Sequence, residues 1–219
     1  MKILALEFSS DTRSAAVVET VVAHAGSALE RETPAATPTV LSSVEEAGAG
    51  ATRAFALIER ALEQARVTRR EIERIAVGLG PGSYTGIRVA IAVAQGWQLA
   101  HDVQLGGVCS ADALAALGQE KGWRGRLTAV IDAQRNEVYL ASYELEENGW
   151  RAVAPLRLAP ADELRSLAAS GVQVAGPEAS RWCERGRILC PQARHIGLLA
   201  STGPGPVPGP PAPAPCACL

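Results

Sequence analysis

The residues best suited to chemistry stand in one stretch, GLGPGSYTGIRVAIAVAQGWQLA, from Gly78 to Ala100. Its first nine residues hold four glycines and one proline, with Ser83 and Thr85 set among them. Glycine permits backbone conformations that side chains forbid, and it lets another group approach closely. Ser83 or Thr85 can cap the helix that starts near Gly86. A capped helix start with free N–H groups holds anions. The segment Gly80, Gly82, Ser83, Thr85 and Gly86 therefore reads either as a phosphate cradle or as a tight strand-to-helix turn. It is not a Walker A loop, because Ile87 and Arg88 stand where Lys-Ser/Thr would follow the last glycine, and it is not the dinucleotide pattern GxGxxG.

Other constellations are sparse. The three histidines, His24, His101 and His195, are never four residues apart, so no His-x-x-x-His pair shares a helix face. No Gly-x-Ser-x-Gly elbow occurs, and Ser83 has no evident base. The five cysteines, Cys109, Cys183, Cys190, Cys216 and Cys218, are odd in number and irregularly spaced. With no signal-peptide pattern after Met1-Lys2 and no run long enough to span a membrane, they point to a reduced, cytoplasmic protein. The net charge of −2 gives no global basic field to draw in nucleic acid. No metal site and no cofactor is implied.

The elements that must position the glycine stretch follow from periodicity. KILALEFSS (Lys2–Ser10) reads as a buried strand and RSAAVVETVVA (Arg13–Ala23) as its antiparallel neighbour, joined by a hairpin at Ser9–Thr12. Ser27–Ala51 is rich in Thr, Pro, Gly and Ala; its middle reads as a loop, with room for a further strand. Thr52–Val67 is a helix with Ala54, Phe55, Leu57, Ile58, Ala61, Leu62 and Ala65 at helical spacing. Ile75–Leu79 is a buried strand leading into the glycine turn. In the helix that follows, Arg88, Gln95 and Gln98 lie within about 80° of one another and the remaining arc is apolar. That helix is either buried under its own chain or awaits a partner, and small Ala90 and Ala94 permit close approach. Strands at Arg126–Gln134 and Asn136–Trp150, with further strands and helices beyond, complete an α/β chain in two lobes with a junction near Asp102–Gly107. Asp132, Arg135 and Glu137 of IDAQRNEVY sit at a strand–turn–strand junction, where a carboxylate and a guanidinium satisfy turn backbone. The tail from Gly203 to Pro215 holds seven of the fourteen prolines and reads as disordered, partly polyproline II.

Three segments, KILALEFSSDTRSAAVV, IERIAVGLGPGSYTGIRVAIAVAQGWQLA and TAVIDAQRNEVYLASYE, resemble the signatures of the TsaB (YeaZ) family. The resemblance implies an actin/Hsp70-like (ASKHA) fold, two α/β lobes of mixed sheet flanked by helices. It implies an N-terminal lobe over residues 1–104 that carries partner-binding helices, a C-terminal lobe over 105–201, and a tail over 202–219. It also implies a non-catalytic scaffold or activator subunit, with catalysis by a TsaD-type (Gcp/Kae-like) partner and with a TsaE-type ATPase joining them. Together they add a threonylcarbamoyl group to the adenosine just 3′ of the anticodon in tRNAs reading codons that begin with A, so tRNA is met through the complex. Phe55, Ile58, Leu62, Ala90, Ala94 and Trp97 are then the expected interface, and the chain alone is a candidate homodimer. A charge at Ala90 or Ala94 is expected to block pairing and leave the fold intact. In this fold the first hairpin faces phosphates in active members, which makes Ser9, Ser10 and Thr12 a degenerate nucleotide site, with Glu7 as the acid ending the first strand. The alternatives are a glycoprotease-like metallopeptidase and a stand-alone ATP-binding enzyme. The chain departs from the family in its proline-rich end, where a closing strand is expected, and in the poorly matching Ser27–Ala51.

Overall fold

The computed structural model describes residues 1–20, 37–48 and 54–202. The tail beyond 202, His24, and most of the Ser27–Ala51 segment lie outside the described residues. Two five-stranded sheets carry the chain. The first is built from β1 (Lys2–Glu7), β2 (Thr12–Glu19), β3 (Thr39–Ala47), β4 (Arg74–Gly78) and β5 (Gln104–Val108), in the order β3-β2-β1-β4-β5. The second is built from β6 (Gly125–Gln134), β7 (Glu137–Glu146), β8 (Gly149–Pro160), β9 (Gln173–Gly176) and β10 (Arg187–Ile188), in the order β10-β9-β6-β7-β8. Each sheet is mixed. The first three strands of each pair antiparallel, and the next two add in parallel on the far side of the first. The same winding thus occurs twice in one chain.

β1 is apolar on both faces because both are covered. Leu4 and Leu6 join the cluster under α1 (Ala54–Ala65) and α2 (Tyr84–Ala100), while Ile3 and Ala5 join a second cluster under α6 (Ala193–Ser201). α1 lays Leu57, Ile58, Ala61 and Leu62 on β2 and β3, and the buried Ser42 hydroxyl donates to the Ala61 carbonyl at 2.7 Å. α2 is capped by Ser83, whose hydroxyl accepts from the Gly86 N–H, and it buries Gly86, Ala90 and Ala94. Small residues at that spacing let the helix backbone sit close to the sheet.

This packing corrects four of the six expected interface residues. Ile58, Leu62, Ala90 and Ala94 are at most 3% exposed and lie in the chain's own core. Sheet one needed a cover for Leu4, Leu6 and Val77, and these side chains supply it. A charge at Ala90 or Ala94 would therefore be desolvated inside the lobe and unfold it, at a cost of several kcal/mol. Trp97 is half-buried against the same cluster, and Phe55 alone of the six is well exposed. The expected lobe junction falls inside β5, which pairs with β4 (Leu105 with Ile75, Gly107 with Val77) and extends the first sheet to Val108.

α3 (Ser110–Glu120) lies between the lobes, with Leu114 and Leu117 on the second sheet and Ala113 against α6. α4 (Ala161–Ala169) and α5 (Ala179–Trp182) pack on the second sheet, and α6 returns from the far end of the chain onto β1, β2 and β4. The buried Ser14 hydroxyl accepts from the Ala193 N–H at 2.8 Å and so closes the start of α6. His195 is buried beside it, with Nε2 2.6 Å from a Glu120 carboxylate oxygen and Nδ1 without a partner among the described residues. Burial lowers the His195 pKa more than the Glu120 bond raises it. The ring is therefore neutral and donates from Nε2, since a protonated Nδ1 would have no acceptor. In the unfolded chain the imidazole takes its proton at about 6.5. Its contribution is fully present above that pH and is lost as pH falls through the lower folded pKa. Urea unfolding is expected to show a smaller loss of stability between neutral and mildly acidic pH in His195→Gln than in the wild type. An unchanged pH slope would mean the acid sensitivity arises elsewhere.

Candidate functional site

The glycine turn joins β4 to α2 and is fastened to the β1–β2 hairpin. Gly80 and Gly82 have φ of +82° and +147°, a region that L side chains rarely adopt. The Gly80–Pro81 peptide is cis. A Cβ at Gly78 would lie 2.0 Å from a Glu7 carboxylate oxygen, one at Gly82 2.1 Å from the Ser9 carbonyl, and one at Gly86 1.9 Å from the Phe8 carbonyl. The Ser83 N–H donates to the Ser9 carbonyl at 2.6 Å. The glycines thus make room for the chain's own hairpin.

Glu7 is the centre of this knot. It is fully buried at the end of β1. Its Oε1 accepts the Ser9 N–H at 2.7 Å, and its Oε2 accepts the Ser110 hydroxyl at 2.6 Å. Ser110 Oγ in turn accepts the Gly80 N–H at 3.1 Å, and the Ser110 N–H donates to the Gly80 carbonyl at 2.8 Å. Burial pushes the Glu7 carboxyl up, and the Ser110 and Ser9 hydrogen bonds only partly offset it. Ser9 and Ser10 are turned inward, the Ser10 hydroxyl donating to the Thr12 carbonyl at 2.9 Å. Thr12 is half-buried at the start of β2. Sequence reasoning passed over Ser110, which is 103 residues from its partner Glu7; a serine directly ahead of an apolar helix was the one available signal.

Beyond this knot a cleft of about 780 Å³ opens between the lobes. Leu79–Thr85 line one side, so Gly80, Gly82, Ser83 and Thr85 do meet Ser9 and Ser10 at one cavity, while Gly86 is buried behind it and Thr12 does not line it. Ile131, Tyr139 and Leu156 of the second sheet form the opposite wall. Asp11, Asp132 and Glu178 also line it. Asp132 Oδ1 accepts the Gln134 N–H at 2.7 Å and Oδ2 pairs with Arg181 at 2.7 Å. Its cation is thus Arg181 and not Arg135, which stands in the turn at a φ of +52°. Glu178 is pushed up by burial first, with Asp132 and Asp11 adding repulsion. Among the described residues no three His, Cys, Asp or Glu side chains gather as a metal site, and no helix is long and apolar enough to cross a membrane.

Comparison with known proteins places this geometry. The family described as TsaD, tRNA N6-adenosine threonylcarbamoyltransferase, matches residues 49–201. The tRNA threonylcarbamoyladenosine biosynthesis protein TsaB of Escherichia coli is 35% identical over 97 residues, covering 44% of this chain and 42% of the relative. TsaB of Bacillus subtilis is 29% identical over 103 residues, covering 47% and 44%. The chain spans about half the length of the curated relatives it matches. The solved structure of YeaZ from Pseudomonas aeruginosa superposes with a TM-score of 0.70 at 25% identity, covering 92% of this chain and 91% of that one.

The buried carboxyl yields a prediction. Glu7→Ala leaves the Ser9 N–H and the Ser110 hydroxyl without their acceptor and opens a cavity, so unfolding in urea is expected to reveal a loss of about 2–4 kcal/mol. Glu7→Gln keeps shape and one acceptor and is expected to cost less than half of that. Because the folded pKa of Glu7 is raised, the wild type gains on Glu7→Gln as pH falls toward 4.5, where an ordinary glutamate titrates. Equal losses for Ala and Gln would show that the hydrogen bonds contribute little.

Proposed function

The chain belongs to the TsaD family of tRNA N6-adenosine threonylcarbamoyltransferases, where its actin/Hsp70-like (ASKHA) fold sets it beside TsaB and YeaZ, and from that premise we propose that it is the accessory subunit of a threonylcarbamoyl-transferring complex. It scaffolds and activates a TsaD-type catalytic subunit, with a TsaE-type ATPase joining the pair and tRNA reached through the assembly in the cytoplasm. The chemistry falls to the partner. In keeping with this, the N–H groups of Ser9, Gly80 and Ser83 already donate within this chain, to Glu7, to Ser110 and to the Ser9 carbonyl.

One observation carries the reading: the outer face of α2. Tyr84, Arg88, Ala92, Gly96 and Leu99 are all exposed and follow one another at helical spacing, so they form a stripe along the helix. Leu99 is 91% exposed and Tyr84 72%, and the Arg88 guanidinium lies 5.3 Å from the centre of the Tyr84 ring. A Cβ at Gly96 would meet nothing within 4 Å. Ala92 and Gly96, four residues apart, are thus the small positions open to a partner helix, displaced by two from the Ala90 and Ala94 expected from sequence. On α1, Phe55 is exposed at 64%. Apolar side chains this open are where a protein partner gains most from burial.

Co-expression with the TsaD-type protein of the same organism, followed by light scattering, is expected to give a stable heteromer. Gly96→Gln combined with Leu99→Glu is expected to weaken pairing by about tenfold or more and leave the thermal midpoint of the chain unchanged. Ala90→Glu is expected to lower that midpoint sharply. If the double variant pairs as the wild type does, α2 is not the contact; if the wild-type chain stays monomeric beside a folded partner, the accessory-subunit reading fails.

A further inference from the structure

Between α3 and β6 the chain reads KGWRGR, residues 121–126, with three cations set around one tryptophan. Gly122 and Gly125 turn the backbone there at φ of +78° and +81°. The loop is fastened on both sides. The Lys121 N–H donates to the Leu117 carbonyl and the Trp123 N–H to the Gly118 carbonyl, each at 3.1 Å, and the Gln173 side-chain amide donates to the Arg124 carbonyl at 2.7 Å. Trp123 is half-buried against the core of the second sheet. From β10 the Arg187 guanidinium lies over its ring, 4.6 Å from the centre, and brings a fourth cation to the loop.

Lys121, Arg124, Arg126 and Arg187 are all exposed. Among the described residues none of the four has a carboxylate at ion-pair distance, whereas Arg151, Arg157, Arg165 and Arg181 of the same lobe each have one. Glu120, beside Lys121, is taken by Arg194 and His195. Four like charges on one loop and its neighbouring strand repel one another, and a polyanion relieves that repulsion. We propose that this loop, with Arg187, is a docking surface for the phosphate backbone of RNA. Lysine and arginine gain there by displacing the counterions that phosphates hold. The Trp123 ring keeps the Arg187 guanidinium in place, so less freedom is lost when it meets a phosphate. Such contacts position a nucleic acid without reading its sequence. With a net charge of −2 the chain as a whole adds no general attraction, so the contact orients the RNA as well as holding it. A lipid surface fits less well, because Trp123 is turned onto the core and covered by Arg187 and so is not presented for insertion. The choice of RNA rests on the accessory-subunit reading, in which tRNA meets the assembly. The surface itself belongs to the second lobe, whereas the exposed stripe of α2 belongs to the first.

The probe is a labelled, unmodified tRNA transcript that reads a codon beginning with A, titrated with the full chain and followed by fluorescence anisotropy. Binding is expected to weaken roughly fifty- to a hundredfold between about 50 and 200 mM salt, as about four phosphate contacts require. Lys121→Gln, Arg124→Gln, Arg126→Gln and Arg187→Gln combined are expected to weaken binding at the lower salt by about tenfold or more and to flatten the salt dependence. Circular dichroism and the thermal midpoint are expected to stay as in the wild type. Arg124→Gln with Arg126→Gln, both on exposed side chains, is expected to cost about threefold or more and keeps the test sound if the combined variant is unstable. Poly-glutamate and phosphatidylglycerol vesicles serve as rival polyanions. The proposal is overturned if the transcript does not bind, if the variants bind it as the wild type does, or if either rival binds the loop more tightly than the transcript. Pairing with the TsaD-type protein is measured alongside, and the combined variant is expected to pair normally. If the wild-type chain fails to pair while the loop still holds the transcript, the accessory-subunit reading falls and this surface stands. If pairing holds while RNA binding ignores the loop, the surface falls alone.

Discussion

A carboxylate without a cation governs the centre of this molecule. Glu7 is fully buried, and its two oxygens are occupied by Ser9 and by Ser110. Through Ser110 the link extends to both the N–H and the carbonyl of Gly80. One side chain therefore fixes the end of β1, the hairpin, the glycine turn and the start of α3. Leaving any of these donors unpaired in a dry interior costs more than the bond itself is worth. The turn then has little freedom, and the start of α2 is held where the Ser9 carbonyl can take the Ser83 N–H. The direction of α2, and hence the surface it presents, descends from that knot.

What could be read in the sequence was whatever local periodicity encodes. β1, α1 and α2 are announced by their apolar spacing, and the cap at Ser83 by its place before the helix. The family segments pointed to the fold. The side of α2 that the sheet would take was not encoded so simply. Its apolar arc is wide, and a shift of two residues separates the buried pair, Ala90 and Ala94, from the open pair, Ala92 and Gly96. Nothing in a hydrophobic pattern distinguishes core alanine from interface alanine when both are small. The cleft was hidden for another reason. Its walls come from segments more than a hundred residues apart, and Tyr139, Leu156 and Glu178 look like ordinary strand and turn residues until the second sheet brings them opposite the glycine turn.

The two sheets share a winding but have diverged in use. In the first, helices cover both faces, and the outer surface of one of them is left apolar. In the second, α3 covers Leu127 and Ala129 but stops short of Leu156 at the other end of the same face. A common scaffold thus leaves an exposed helix face in one copy and a cleft between the two.

The return of α6 to the first sheet has a consequence for the order of events during synthesis. Ile3, Ala5, Ala16 and Val18 emerge early, yet the side chains that cover them, Ala193, Ile196 and Ala200, are among the last described residues of the chain. Until α6 arrives, the hydroxyl of Ser14 has no Ala193 N–H to accept and one face of the first sheet has no lid. The first lobe therefore cannot complete itself vectorially as an N-terminal unit would. It must wait, with an apolar face open to chaperones and to other nascent chains, until translation has passed through the whole of the second lobe.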